Sequence, residues 1–235
     1  MVHGHVCGKG EYADIVKDLE KVIPKDKIFV AAVEMGSRIW GMQKSGSDRD
    51  ILIIYAEPTV DILSGRVTRP SMPNKHGSII EGRRYDFSFV EIGVLVNRIK
   101  KGEITAIWST TSPIVYRETS YYTLLTDIVK RHPIKGVCPS LIGMARGNLA
   151  GSESSPTKTV AQKKIAIAYR NALFGGVLLT EKRYDYGVPV RKVSETEVMM
   201  ALDNLEQMYF LSSLPDQYDP HELEQYLLDF RKAFL

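Results

Sequence analysis

Two cysteines in 235 residues, Cys7 and Cys138, are too few and too far apart for a disulfide framework or a zinc-binding spacing. No apolar run approaches the ~20 residues that a membrane span needs. The opening stretch, MVHGHVCGKGEYADIVKDLEKVIPK, lacks the apolar core of a signal peptide. The expected compartment is the cytoplasm, with no membrane contact. Strong charge of one sign is also missing, since a net +3 is too mild to indicate nucleic-acid binding by itself. Internal repeats and low-complexity tracts are absent. What remains is an ordinary globular composition, 44% hydrophobic and 25% charged, long enough for one large domain or two small ones.

The charge is nevertheless uneven. Residues 146–192 hold nine Lys and Arg against three acids, and residues 193–235 hold nine acids against Arg231 and Lys232. A basic block beside an acidic end suits one face for an anionic ligand and one for solvent or a partner; two solvated helix faces are the plainer alternative.

Along the chain, EYADIVKDLEKVI has the spacing of an amphipathic helix with Ile15, Leu19 and Val22 on one stripe. KIFVAAVEMGS reads as a strand ending in a Gly-Ser turn, and DILIIYAE as an interior strand covered on both faces. Residues 57–77 are rich in Pro, Gly and basic residues and predict a long loop, with a short strand at GRVTR. SIIEGRRYDFSFVEI reads as a third strand bulged at Gly82, and SPIVYR as a further short one. Helical patterns then cover roughly 91–101, 103–110, 119–131, 139–151, 157–180, 195–210 and 220–234. Strands cluster early and helices late. The expected fold is α+β, a mixed-sheet domain over 1–117 followed by an all-helical domain over 118–235.

The chemistry concentrates in EMGSRIWGMQKSGSDRDILIIY, where Asp48 and Asp50 bracket an arginine at the mouth of the apolar strand. Alternation aims both to one side with Cα atoms ~7 Å apart. Such a pair can share divalent cations: Mg²⁺ takes a few carboxylate oxygens at ~2.1 Å, and two-metal sites hold their ions ~3.5–4 Å apart. A solvated Ser-Gly-Ser-Asp turn satisfies the pair equally well. A third acid separates the two readings. In RRYDFSFVE, Tyr85, Phe87 and Phe89 alternate onto one face and leave Arg84, Asp86 and Ser88 on the other. An isolated aspartate is disfavoured in so aromatic a strand. Beside DILIIY, Asp86 completes a three-carboxylate cluster; Glu91 falls on the aromatic face and suits a helix start. Gly36 lets the backbone approach a ligand closely, and backbone N–H groups with the Ser37 hydroxyl can hold phosphate oxygens.

Gly36-Ser37, then SDRDILI, then Asp86 on a later strand resembles the signature of the DNA polymerase β-like nucleotidyltransferase superfamily, over residues 29–92. The fuller GSRIWGMQKSGSDRDI is similar to the branch of predicted nucleotidyltransferases associated with bacterial and phage RNA repair. The resemblance implies transfer of a nucleoside monophosphate from an NTP to a hydroxyl acceptor, with release of pyrophosphate. It implies Mg²⁺, with Mn²⁺ as the alternative, on Asp48, Asp50 and Asp86. Both RNA and protein stand as acceptors. Two other functions compete: a non-catalytic nucleotide- or RNA-binding module of the same fold, and an antitoxin-like enzyme that nucleotidylates a protein partner.

Weaker signals surround this motif. In QKKIAIAYRNALFGGVLL, Lys163, Ile167 and Arg170 share a helical stripe, with Lys163 and Arg170 ~10.5 Å apart. They suit phosphate or base contacts, or a solvated basic face; the RNA-repair branch usually has a histidine where Lys164 stands. Gly175 and Gly176 suit close helix packing. Arg38 follows the Gly-Ser turn and is a further phosphate contact. Trp40 and Trp108 read as core or cleft wall, with base stacking as an alternative for Trp40. Arg66, Arg69 and Lys75 are candidates to guide a nucleic-acid acceptor. His3, His5 and Cys7 form a metal-ligating set that a frayed terminus explains better.

Overall fold

The computed structural model describes residues 9–43, 46–68, 70–188 and 191–235. The elements follow in the order α1 (Lys9–Glu20), β1 (Ile28–Glu34), a 3-10 turn (Arg38–Trp40), β2 (Arg49–Ala56), α2 (Thr59–Leu63), β3 (Lys75–Ile80), β4 (Arg83–Glu91), α3 (Ile92–Lys100), α4 (Ile104–Thr111), β5 (Val115–Glu118) and α5 (Ser120–Arg131). A second 3-10 turn (Lys135–Val137) leads to α6 (Cys138–Glu153), α7 (Lys158–Glu181), α8 (Glu195–Leu211) and α9 (Pro220–Lys232). The strands form a mixed sheet ordered β3-β4-β2-β1-β5, in which only β2 and β4 run parallel. The apolar run of DILIIYAE sits at the centre of this sheet, as its composition requires.

Two compact units divide the chain. The first comprises Met1–Lys101, Thr105–Val129 and Asp219–Leu235, and the second comprises Gly102–Ile104 and Lys130–Tyr218. The sequence pattern suggested a single cut at 117/118; here the last helix rejoins the sheet-bearing unit instead. The cause is Arg231 on α9. Its guanidinium pairs with the buried Glu91 carboxylate and donates to the Glu57 carbonyl at 2.9 Å, and its own carbonyl accepts from the Thr59 hydroxyl at 3.1 Å. Phe230 and Phe234 pack on Tyr121 of α5 in the same unit.

One sheet face is closed by α1. Ile15 and Leu19 are fully buried against Ile51, Ile53, Tyr85 and Phe87, each contributing on the order of 1.5–3 kcal/mol. Buried Asp18 fixes the helix to the start of β4, accepting from Arg83 Nε at 3.0 Å and from the Tyr85 hydroxyl at 2.8 Å.

Two local expectations are corrected. SIIEGRRYDFSFVEI is a hairpin rather than one bulged strand. Glu81 and Gly82 both have positive φ, 49° and 78°, the backbone of a two-residue primed turn. Glycine takes that conformation freely; at Glu81 the carboxylate meets Lys21 of the segment after α1 at 2.6 Å. No strand forms at GRVTR among the described residues; the segment after β2 instead makes the short helix α2, and residues 64–68 are turn and bend. Glu91 caps α3, accepting from the Gly93 and Val94 N–H groups, the helix-start role its position suggested.

In the second unit, α6, α7 and α8 enclose Ala145, Ile165, Ala168, Ala172, Val198 and Leu202. The two glycines of α7 differ. A Cβ on Gly175 lies 2.8 Å from Leu205 Cδ1, whereas one on Gly176 meets nothing within 4 Å. Close packing therefore applies to Gly175 alone. Gly175→Ala is expected to destabilise by about 1–3 kcal/mol through overpacking. Gly176→Ala is expected to stabilise by about 0.5–1 kcal/mol, because glycine in a helix interior costs that much relative to alanine. Paired denaturant melts check both signs.

Candidate active site

The parallel register of β2 and β4 sets Asp50 opposite Asp86, on neighbouring strands of one sheet. Burial alternates along β4, with Tyr85 and Phe87 in the core and Asp86 and Ser88 half-exposed. Asp50 and Asp86 both line a cavity of about 490 Å³ within the first unit, together with Gly36, Ser88, His76 and Arg98. Leu52, Val90, Leu95 and Ala106 give the same cavity an apolar wall. Charged groups beside an apolar wall suit a ligand with an anionic part and an uncharged part.

Gly36 forms the closest boundary of the acidic site. Its φ is +63°, and a Cβ there would lie 1.9 Å from Asp50 Oδ2. No other residue leaves that carboxylate its space. The turn is held to β2 by the Met35 N–H, which donates to the Asp50 carbonyl at 2.6 Å. Ser37 opens the 3-10 turn without capping it through its side chain. Asp86 is oriented by the Gly77 N–H, 2.7 Å from Oδ1, and His76 Nδ1 lies 3.7 Å from the same oxygen.

Asp48 is placed differently. It precedes β2, does not line the cavity, and faces Arg84, whose Nε is 3.3 Å from Oδ1. Among the described residues no three His, Cys, Asp or Glu side chains stand close enough to hold a metal ion. The structure thus brings Asp50 and Asp86 together and leaves Asp48 on an arginine.

Behind the site lies a residue that the motif reading missed. Glu34, the last residue of β1, is fully buried. Its carboxylate accepts from the Asp50 N–H at 3.1 Å, from Arg49 Nη1 at 3.2 Å and from the Tyr116 hydroxyl. Arg38 lies nearby, with Nε 3.9 Å from Oε1, and donates from Nη2 to the Ser47 carbonyl at 2.9 Å. The guanidinium expected to reach a phosphate is turned onto the loop and Glu34. Burial pushes the Glu34 carboxyl up to about 7, against the opposing pull of the Tyr116 hydroxyl and of Arg49 and Arg38. The signal available in the sequence was an acid ending an otherwise apolar strand, one residue before the Gly-Ser turn.

The remaining sequence candidates fall elsewhere. Trp40 is buried edge-on against Trp108, ring centroids 5.3 Å apart, as core rather than as a stacking platform. In the second unit Lys163 is exposed, while Arg170 is buried and donates to Asn171 Oδ1 from Nε and Nη2 at 3.2 and 2.8 Å. Burial pulls its guanidinium down to about 10. The stripe therefore runs from surface to interior within two turns. Parts of the basic block are neutralised locally, Arg146 by Glu206 and Arg191 by Glu197. Arg66 pairs with Asp61, and Lys75 lies over the Phe89 ring. Arg69, His3, His5 and Cys7 lie outside the described residues. Among the described residues, no helix is long and apolar enough to cross a membrane.

Comparison with known families matches residues 13–208 to the RNA repair pathway DNA polymerase beta family. A solved structure titled as a nucleotidyltransferase-like protein from Exiguobacterium sibiricum 255-15 is similar over 96% of this chain and 80% of its own, at 14% identity and a TM-score of 0.37. No curated protein matches the chain.

The raised Glu34 carboxyl has a consequence for stability. The folded state favours its neutral form, so between about pH 4.5 and about pH 7 the folded chain binds the extra proton. The contribution of Glu34 to stability is full below that window and falls as pH rises through it. In metal-free buffer, the melting temperature of the wild type relative to Glu34→Gln is expected to drop between pH 5 and pH 8. A flat difference would show a carboxylate ionised throughout.

Proposed function

The chain belongs to the RNA repair pathway DNA polymerase beta family, and we propose that it is a Mg²⁺-dependent nucleotidyltransferase moving a nucleoside monophosphate from an NTP to a hydroxyl of RNA. One observation carries this reading: two carboxylates in register on neighbouring strands line a cavity beside a glycine turn whose missing side chain makes room for one of them. An acidic pair built into a sheet this way is costly without a cation.

The donor set fits a hard divalent cation, Mg²⁺ or Mn²⁺, because its atoms are carboxylate oxygens. Asp50 and Asp86 would hold it, and Asp48, now beside Arg84, would be the third ligand. Bound there, the ion would supply charge neutralisation for the triphosphate and a lowered pKa for the attacking hydroxyl. The residues of the chain supply position. The Gly36-Ser37 turn offers backbone N–H groups and a hydroxyl to the outer phosphates. Asp86, oriented through Oδ1 by Gly77, has Oδ2 to accept a hydrogen bond from the acceptor hydroxyl. Arg38 serves by bracing the loop that carries Asp48. On the second unit, Lys163 is exposed and is the candidate contact of that helix for an anionic ligand, whereas Arg170, buried on Asn171, supports the helix from within. Catalysis of this kind is mostly alignment and charge stabilisation.

Asp50→Asn is expected to lower transfer on the order of 10³-fold, the scale that several kcal/mol of lost charge stabilisation implies. Its melting temperature without metal is expected to hold or rise, since a like charge is removed. The measurement is incubation with each α-labelled NTP, Mg²⁺ and either total RNA or lysate protein. Label in RNA that disappears with Asp50→Asn supports the proposal. Label confined to protein replaces the acceptor, and near-normal transfer by Asp50→Asn overturns the site.

A further inference from the structure

Asp48 is the one motif carboxylate away from the cavity wall, and Arg84 is the residue beside it. The pairing follows from strand register: Arg49 sits opposite Tyr85 in the parallel β2–β4 ladder, so the residues preceding each are neighbours. Alternation places Arg84 on the face of β4 that carries Asp86 and Ser88, while Tyr85 points into the core. Arg84 therefore stands on the active side of the sheet, two residues ahead of Asp86. The side chains of Arg84 and Asp48 are 62% and 32% exposed. An ion pair this open to water is weak and exchanges readily with competing ions.

Resting on the nucleotidyltransferase reading above, we propose that Arg84 is an exchangeable counter-ion: it neutralises Asp48 while no cation is bound and passes to the triphosphate once a divalent ion takes that carboxylate. Asp48, Asp50 and Asp86 repel one another without a cation, and a guanidinium on Asp48 lowers that repulsion. A divalent ion arriving on Asp48 reverses the balance, because it repels the guanidinium it displaces. The nearest compensating charge is then the phosphate chain that enters with the ion, and the planar donor fork of arginine matches phosphate oxygens. Arg84 is thereby a positioning residue in the resting protein and a phosphate contact in the loaded one.

The test uses the full chain, with Mn²⁺ as the metal probe and inorganic triphosphate as the anion probe. Free Mn²⁺ is followed by electron paramagnetic resonance without nucleotide, and triphosphate binding by calorimetry at saturating Mn²⁺. Arg84→Met keeps an unbranched apolar stem and removes the charge. It is expected to bind Mn²⁺ about two- to five-fold more tightly, the scale of an exposed ion pair, and to bind triphosphate several-fold more weakly. Arg84→Lys is expected to match wild type in Mn²⁺ affinity, where only the charge counts, and to bind triphosphate more weakly than wild type but more tightly than Arg84→Met, since a point charge replaces the donor fork. Unchanged Mn²⁺ affinity in Arg84→Met overturns the counter-ion role, and unchanged triphosphate affinity overturns the transfer. Asp50→Asn is the control that separates the two levels. If wild type shows no Mn²⁺ binding that Asp50→Asn removes, the nucleotidyltransferase reading itself fails; if that control holds and Arg84→Met equals wild type, only the exchange fails.

Discussion

One buried carboxylate underlies the geometry of the site. Glu34 sits at the end of β1 with no exposure to solvent, so its carboxyl oxygens must be met by partners inside the protein. Those partners are Arg49 and the Asp50 N–H on β2, the Tyr116 hydroxyl on β5, and Arg38 in the turn that follows Gly36. A single side chain thus ties together every segment of the Gly-Ser and Asp-x-Asp motif. Removing one member of such a network leaves a buried polar group unpaired, at a cost of about 1–3 kcal/mol. The spacing between the Gly-Ser turn and Asp50 follows from this compensation.

The sheet separates support from chemistry by face. Tyr85 and Phe87 pack under α1, where Asp18 locks the helix to β4. The opposite side chains of the same strand, Asp86 and Ser88, line the cavity. Apolar residues at alternate positions secure the strand while the intervening Asp86 faces the cavity. Edge strand β3 contributes Gly77, whose N–H orients Asp86. The hairpin therefore does more than extend the sheet.

Much of this was legible in the sequence. The α1 stripe of Ile15, Leu19 and Val22, the interior position of DILIIYAE and the alternation of RRYDFSFVE each depend on periodicity, which local sequence encodes directly. Asp86 was identifiable because an aspartate breaks an aromatic alternation. The hairpin was not, because Glu-Gly is an uncommon primed turn and Glu81 takes its left-handed backbone beside Lys21, distant in the chain. The return of α9 to the first unit was equally hidden, since it depends on Arg231 meeting Glu91 across 140 residues.

By itself, then, the sequence determined the run of helices in the second half, which strand is interior, and that Gly36, Asp50 and Asp86 fall within one motif. Those features follow from residue type and spacing over a few positions. Only the tertiary structure decided that Glu34 is the hub, that Arg38 turns inward, that Arg170 is buried while Lys163 is exposed, and that Asp48 rests on Arg84. Each of these depends on what lies opposite a side chain after folding, and a charged group takes its partner from the strand or loop that happens to be nearest in space, wherever that residue falls in the chain.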